Sequence, residues 1–463
     1  MKKLFFLFCT IVSSYAVHAN NIQVANISID GQNTASHFEM INFDVSWENS
    51  WRTNTNESNY DGAWIFVKFR KHGTTVWQHA SLNTTGFIAP AGSTIQVSGD
   101  NKGAWIYRNA AGAGNVNFEN GQLRWNYGAD GVADNDSVEV RVFAVEMVYI
   151  PQGSFYLGTG GSEWGNFRDG STTNPYYVTS EDAITKGTAS GNLNALAPGP
   201  IPGGMIPAAY PKGYHAFWIM KYECSQQQYL DFLLCLDEAR CNLRNPPTNF
   251  TGTYPALTAV APERAVANCN LNDWLAYADW AALRPFTELE YEKACRGVEI
   301  VPTPNEYAWG NTSLTVTGSV TNSGAFDETA NNGNCNIITG YGAPVRCGIY
   351  ATSTSDRTAS GATYYGVMEM TGNVWENVVG TIHATHVAFT GAVHGDGNID
   401  ANAVTDIPTW TAISLSAAQS QRGGGFIEPI AYGRTSDRIA ANGSTSYDVR
   451  AATNGIRAAR TAE

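Results

Sequence analysis

Residues 365–378 read YGVMEMTGNVWENV. Two carboxylates, Glu369 and Glu376, flank a Gly372-Asn373 turn, with Met, Val and Trp side chains between them. From about residue 282 to 463 the chain reads as short strands and irregular loops rather than long periodic elements. Two amphipathic helices precede this region. SQQQYLDFLLCL opens with Ser225 as an N-cap and puts Tyr229, Phe232 and Leu233 on one face. NLNDWLAYADWA turns Trp274, Tyr277 and Ala278 inward, with Leu275 beside them. Further upstream, residues 159–214 are rich in Gly, Pro and Ser and poor in periodic apolar positions. They read as an insertion lying over the domain.

Before residue 145 the apolar period is two. Phe43, Val45 and Trp47 share a face, and Val138, Val140 and Val142 alternate with Glu139 and Arg141. Residues 64–69, WIFVKF, are apolar on both faces and read as a central strand. The expected organisation is a leader at 1–19, a β-sandwich over 20–145 and an α+β region over 146–463.

Lys2 and Lys3 before the apolar run Leu4–Val12, with Val17-His18-Ala19 as a cleavage site, give the leader the features of a secretory signal. Cys9 follows Phe8, which argues against lipidation. Loss of the two lysines takes the formal charge from −13 to −15. An acidic chain with 15% charged residues argues against nucleic acid and anionic membranes as partners. No later stretch approaches the length of a transmembrane helix. Seven cysteines follow the leader: 224, 235, 241, 269, 295, 335 and 347. Export makes disulfides plausible, and an odd count leaves at least one thiol over.

Six phrases in order, MVYIPQGSFYLG, FWIMKYECSQQQYLDFL, RPFTELEYEKACRG followed by YAWGN, YGVMEMTGNVWENV, RGGGF and NGIRAA, carry a resemblance. Residues 146–460 are similar to the formylglycine-generating enzyme, or sulfatase-modifying-factor, domain. That resemblance implies a variant of the C-type-lectin-like fold. It also implies a copper centre held by two thiolates in the run after Arg-Gly-Gly. Matched from Arg422, those positions are Glu428 and Gly433, so copper and cysteine oxidation are not expected here. The resemblance further implies a calcium loop using the Glu369 and Glu376 carboxylates and the Gly372 and Val374 carbonyls. Asn336-Ile337 matches the start of a second calcium site, with no downstream Asp to complete it.

His383, His386 and His394, with Asp396, form the alternative metal-ligating set in IHATHVAFTGAVHGDG. Gly423, Gly424 and Gly425 read as close-packing positions, Glu288 and Glu290 as structural, and Trp274, Trp280 and Trp309 as core. The function expected is a secreted binding or scaffold protein recognising an extracellular protein or polar ligand. Its groove would be lined by Phe426, Glu428, Pro429, Tyr432, Arg434, Asp437 and Arg438. The alternatives are a family enzyme with an altered metal centre, and a retroelement-diversified ligand-binding protein of the same fold.

Overall fold

The computed structural model describes residues 22–55, 58–196, 201–352, 354–414, 419–441 and 449–463. The expected signal segment, 1–19, lies outside the described residues.

Two sheets form the first part of the molecule. One has the order β1-β2-β7, from Gln23–Asn33, Phe38–Arg52 and Gly112–Trp125. The other joins β5 (Ser93–Val97), β6 (Ala104–Arg108), β3 (Asp61–Lys71) and β8 (Val138–Ile150), with the short β4 (Gln78–His79) beside β3. This sheet continues through Phe217–Met220 to Ala459–Thr461, two strands from the second part of the chain. Residue 145 lies inside β8, which pairs with β3 along one edge and with Phe217–Met220 along the other. The sandwich and the following region therefore share one sheet.

That sharing explains the two-sided apolar character of residues 64–69. Ala63, Ile65, Val67 and Phe69 enter the sandwich core with Phe43, Val45 and Trp47. Trp64 and Phe66 point the other way, into the larger core that holds the helices. A strand buried on both faces has no polar side to show.

α1 (Gln226–Leu233) begins at Ser225, which forms a capping box with Gln228. α2 (Glu238–Arg244) follows, capped by Asp237. α3 (Leu271–Trp280) is capped by Asn270, and Trp274, Leu275, Tyr277 and Ala278 are all buried. α4 (Glu288–Cys295) is capped by Thr287 and Glu290 and is buried on every side. The 159–214 insertion is ordered over its described part, with four short strands from 167 to 206 forming their own sheet. Phe167, Leu193, Ile206 and Tyr210 anchor it to the core. All seven described cysteines are buried free thiols, so the disulfides that export makes plausible do not form in this structure.

Candidate functional site

Strand Ser420–Arg422 pairs antiparallel with Trp375–Val378, placing Arg422 opposite Glu376. The chain then turns at Gly423 (φ 91°) and Gly424 (φ 75°), left-handed conformations that favour glycine. A Cβ at Gly424 would lie 3.2 Å from backbone atoms of Tyr432 and Gly433. Close packing, rather than phosphate binding, accounts for these glycines. Beyond the turn the segment is pinned by backbone bonds. Phe426 N donates to Asn373 O (2.8 Å), Ile338 N to Glu428 O (2.9 Å) and Thr339 N to Phe426 O (2.7 Å).

The seven expected groove residues divide into two groups. Glu428, Tyr432 and Arg434 are half-buried and Pro429 is exposed. The Tyr432 ring lies 6.2 Å from that of Trp375, and Arg434 donates to Asn305 Oδ1 at 3.1 Å. Among the described residues no carboxylate forms an ion pair with Arg434. Phe426, Asp437 and Arg438 are buried, at 6%, 2% and 0% exposure. Asp437 accepts backbone N–H bonds from Ile439 and Trp164, and burial raises its pKa to about 6. Arg438 grips Glu288 through Nε (2.7 Å) and a second nitrogen (3.1 Å), and lies over the Phe167 ring. These two residues belong to the interior and are not groove lining.

Ile427 and Ile430 of this segment and Ile338 of the stretch bonded to it are exposed by 45%, 39% and 46%. Spacing does not reveal that Ile338 joins this segment, because the link runs through the backbone bonds of residues 338–339 to 426–428.

Beneath the face runs a network of buried charges. Arg422 donates to Glu292 (2.6 Å) and to the carbonyls of Thr435 and Asp437. Arg296 bridges Glu292, Glu306 and Ser436. Burial alone would raise the Glu288 pKa, but the Arg438 guanidinium outweighs it and holds the group near 2. Glu290 pairs with Arg284 and closes the α4 cap, so both glutamates are structural, as their phrase implies.

The two positions matched to copper thiolates have different surroundings. Gly433 is buried, and a Cβ there would lie 2.9 Å from both the Ile337 and Thr371 side chains. Glu428, at the other position, is half-buried on the rim.

The histidines do not converge. His386 is buried and its Nδ1 accepts the Gly380 N–H, with the His383 ring 5.7 Å away. His394 sits instead between Asp100 and the end of the chain, accepting the Thr461 N–H at 3.1 Å. Burial lowers its pKa to about 4. Among the described residues the one group of acidic, histidine or cysteine ligands within mutual reach is Asp279, Asp396 and Asp406. The Asp279 oxygens already accept from Asp396 N and Thr405 Oγ1.

The calcium loop has a different character. Glu376 is fully buried and bonded by Arg457 Nε at 2.6 Å. Glu369, held at φ 55°, accepts the Gly348 N–H. Glu223, which the sequence reading did not single out, accepts from Asn373 Nδ2 and Val374 N. Three carboxylates thus face one guanidinium, and burial together with the Glu369 charge pushes Glu223 well above the usual range. The second oxygens of Glu369 and Glu376, and Asn336 Oδ1, have no hydrogen-bond partner. These unpartnered oxygens are of the hard type that calcium takes, although Glu223, Glu369 and Glu376 do not come within mutual ligating reach as a trio.

This α+β fold, with its shared sheet and its Trp375–Val378 strand, defines a domain class that comparison identifies. Residues 134–462 match the family model of the sulfatase-modifying factor enzyme 1-like domain. The chain belongs to that family. Two solved structures are similar over most of their length. PvdO from Pseudomonas aeruginosa is 18% identical, with 69% of this chain and 95% of that one covered and a TM-score of 0.34. Treponema denticola variable protein 1 is 14% identical, with 69% and 96% covered and a TM-score of 0.35. No curated protein matches the chain.

Proposed function

We propose that this family member is an exported binding protein without cysteine-oxidising activity, and that it recognises an extracellular protein or polar ligand on the face around Tyr432. The observation that carries the reading is the exposure of Ile338, Ile427 and Ile430 on the segment that carries Tyr432 and Arg434 and on the stretch bonded to it. Exposed apolar side chains with an aromatic and an arginine on one short segment have the composition of an interface. The tight surroundings of Gly433, with a Cβ there 2.9 Å from the Ile337 and Thr371 side chains, support a segment without a thiolate centre. Export rests on the leader-like residues 1–19.

A calcium ion held by Glu369, Glu376 and the Gly372 and Val374 carbonyls would neutralise surplus buried charge and stabilise the loop beneath this face. Its role is structural.

Quantitative pull-down of extracellular material by wild type and by Tyr432→Ala tests the binding reading. Loss of the same partners from the variant, at an unchanged melting temperature, is expected. Equal recovery by both proteins would move the binding surface elsewhere.

A further inference from the structure

Where the sandwich joins the region that follows it, one lysine lies between two carboxylates. Asp61 opens β3, Glu146 lies in β8, and Lys221 follows the strand Phe217–Met220 on the other edge of β8. Lys221 N donates to the Glu146 carbonyl at 2.9 Å, which fixes the lysine beside β8. Its Nζ then lies 3.1 Å from Asp61 Oδ2 and 3.0 Å from Glu146 Oε2. Lys221, Asp61 and Glu146 are exposed by 3%, 0% and 3%. The centres of the Trp51 and Tyr222 rings stand 4.9 and 5.3 Å from Nζ. Water is excluded from this point.

The two carboxyl groups differ. Both Asp61 oxygens are held in place. Oδ2 accepts the Trp47 indole N–H at 3.0 Å, and Oδ1 accepts the Ser50 hydroxyl at 2.8 Å and the Trp51 N–H at 3.0 Å. Donors so fixed stabilise charge that gathers on these oxygens if the carbon between them becomes tetrahedral. Glu146 spends one oxygen on Lys221, and the other, Oε1, has no hydrogen-bond partner. Burial raises Glu146 to about 8 against the pull of the Lys221 charge, so the group carries a proton at neutral pH. Burial also opposes the Lys221 ammonium, but the acidic groups around it outweigh that. A buried ion pair needs one carboxylate for one ammonium. Here a second carboxyl, protonated and partly unpartnered, touches the same nitrogen. An amine, an immobilised carboxyl and a proton carrier are the components of an amide condensation.

We propose that Lys221 and Asp61 join through an intramolecular isopeptide bond, with Glu146 as the proton carrier. Lys221 first passes a proton to Asp61, which leaves the uncharged amine and acid that a site without water favours. The amine lone pair attacks Asp61 Cγ, and the carbonyl electron pair moves onto the oxygen held by the donors. Glu146 takes a proton from the nitrogen on Oε2 and returns one to the departing hydroxyl. The Cγ–O bond breaks, one water leaves, and Glu146 ends as it began. Ammonium and carboxylate thus become amide and water, with no oxidant or cofactor. The bond would join residues 160 apart in sequence and tie β3 across β8 to the region that carries the Tyr432 face. It does not depend on the reading of that face.

Intact-mass measurement on the denatured full chain, followed by peptide mapping, tests the proposal. Wild type should be lighter by one water than Lys221→Arg after correction for the substitution. Its digest should contain a branched peptide joining Asp61 to Lys221, uncut by trypsin after Lys221. Asp61 precedes Gly62, and a succinimide there would lose the same water but leave the two peptides separate. That result would overturn the proposal, as would a wild type that has lost no water or a branch through Glu146. Glu146→Gln keeps both joined residues and should leave about a tenth or less of the chains linked. Full linkage in this variant would refute proton transfer by Glu146. If Glu146→Gln fails to fold, the presence or absence of the branched peptide in wild type decides.

Discussion

The stretch from Arg422 to Arg438 contains two regions that treat the same residue types in opposite ways. On its rim, Ile427, Pro429 and Ile430 face outward, and Arg434 has neutral partners, Asn305 and the Tyr307 hydroxyl. On its floor, Arg422 and Arg438 are fully buried and each meets a buried glutamate. Arginine on the floor holds α4 to the loops, whereas the rim arginine is half-buried and meets only neutral groups among the described residues. Proximity in sequence is therefore no guide to role here. The partner that each guanidinium meets decides it.

Breaking the floor should have the largest effect. Arg438→Ala strips the buried Glu288 of its two guanidinium hydrogen bonds and leaves Arg422, 3.8 Å away, as its remaining cation; breaking a buried pair costs about 3–5 kcal/mol. Thermal melting should show a large fall, and an unchanged midpoint would refute a structural role for this pair. The pair also predicts an acid limit. Glu288 is depressed to about 2, so its stabilisation is complete above the unfolded value near 4.5 and is lost as pH falls toward 2.

The calcium loop sharpens the comparison, because its charges are not balanced. Burial raises Glu369 from 4.5 to about 7. A raised carboxyl pKa favours the folded state only while the group is protonated. Its contribution is present below about 4.5 and is lost as pH rises toward 7. In chelator, Glu369→Gln should match wild type near pH 4.5 and exceed it at pH 8, by at most about 3 kcal/mol. Calcium should close that gap by stabilising wild type, by about 2.7 kcal/mol at 100 times its dissociation constant. A calcium response equal in the two proteins would remove Glu369 from the site. Glu376→Ala is a poorer probe, because it also strands Arg457.

The rim should respond least in stability. Ile427→Ala and Tyr432→Ala should each shift unfolding by about 0.5 kcal/mol or less if the side chains serve a partner. A fall as large as that of Arg438→Ala would assign them to the scaffold.

Much of the fold was legible because capping and periodicity agree locally. Ser225 and Asn270 mark the starts of α1 and α3, and their apolar faces follow at helical spacing. α4 was hidden because Glu288, Glu290, Glu292 and Lys293 are all buried, and buried ion pairs erase the amphipathic signal. The site was legible only as a segment. Asp437 and Arg438 read as surface residues, but partners at Trp164 and Glu288 draw them inward. His394 lies close to His386 in sequence, yet is held near Asp100 of the sandwich. Glu223 and the meeting of Lys221 with Asp61 and Glu146 depend on contacts between distant parts of the chain, which spacing does not encode.

The most direct test is chemical. The protein, loaded with Cu(I), is incubated with a cysteine-containing sulfatase peptide, and the peptide is analysed by mass spectrometry. A half-buried carboxylate at Glu428 and the tight surroundings of Gly433 predict an unchanged cysteine. Formylglycine in the peptide would contradict the claim that this face has given up oxidation and serves recognition.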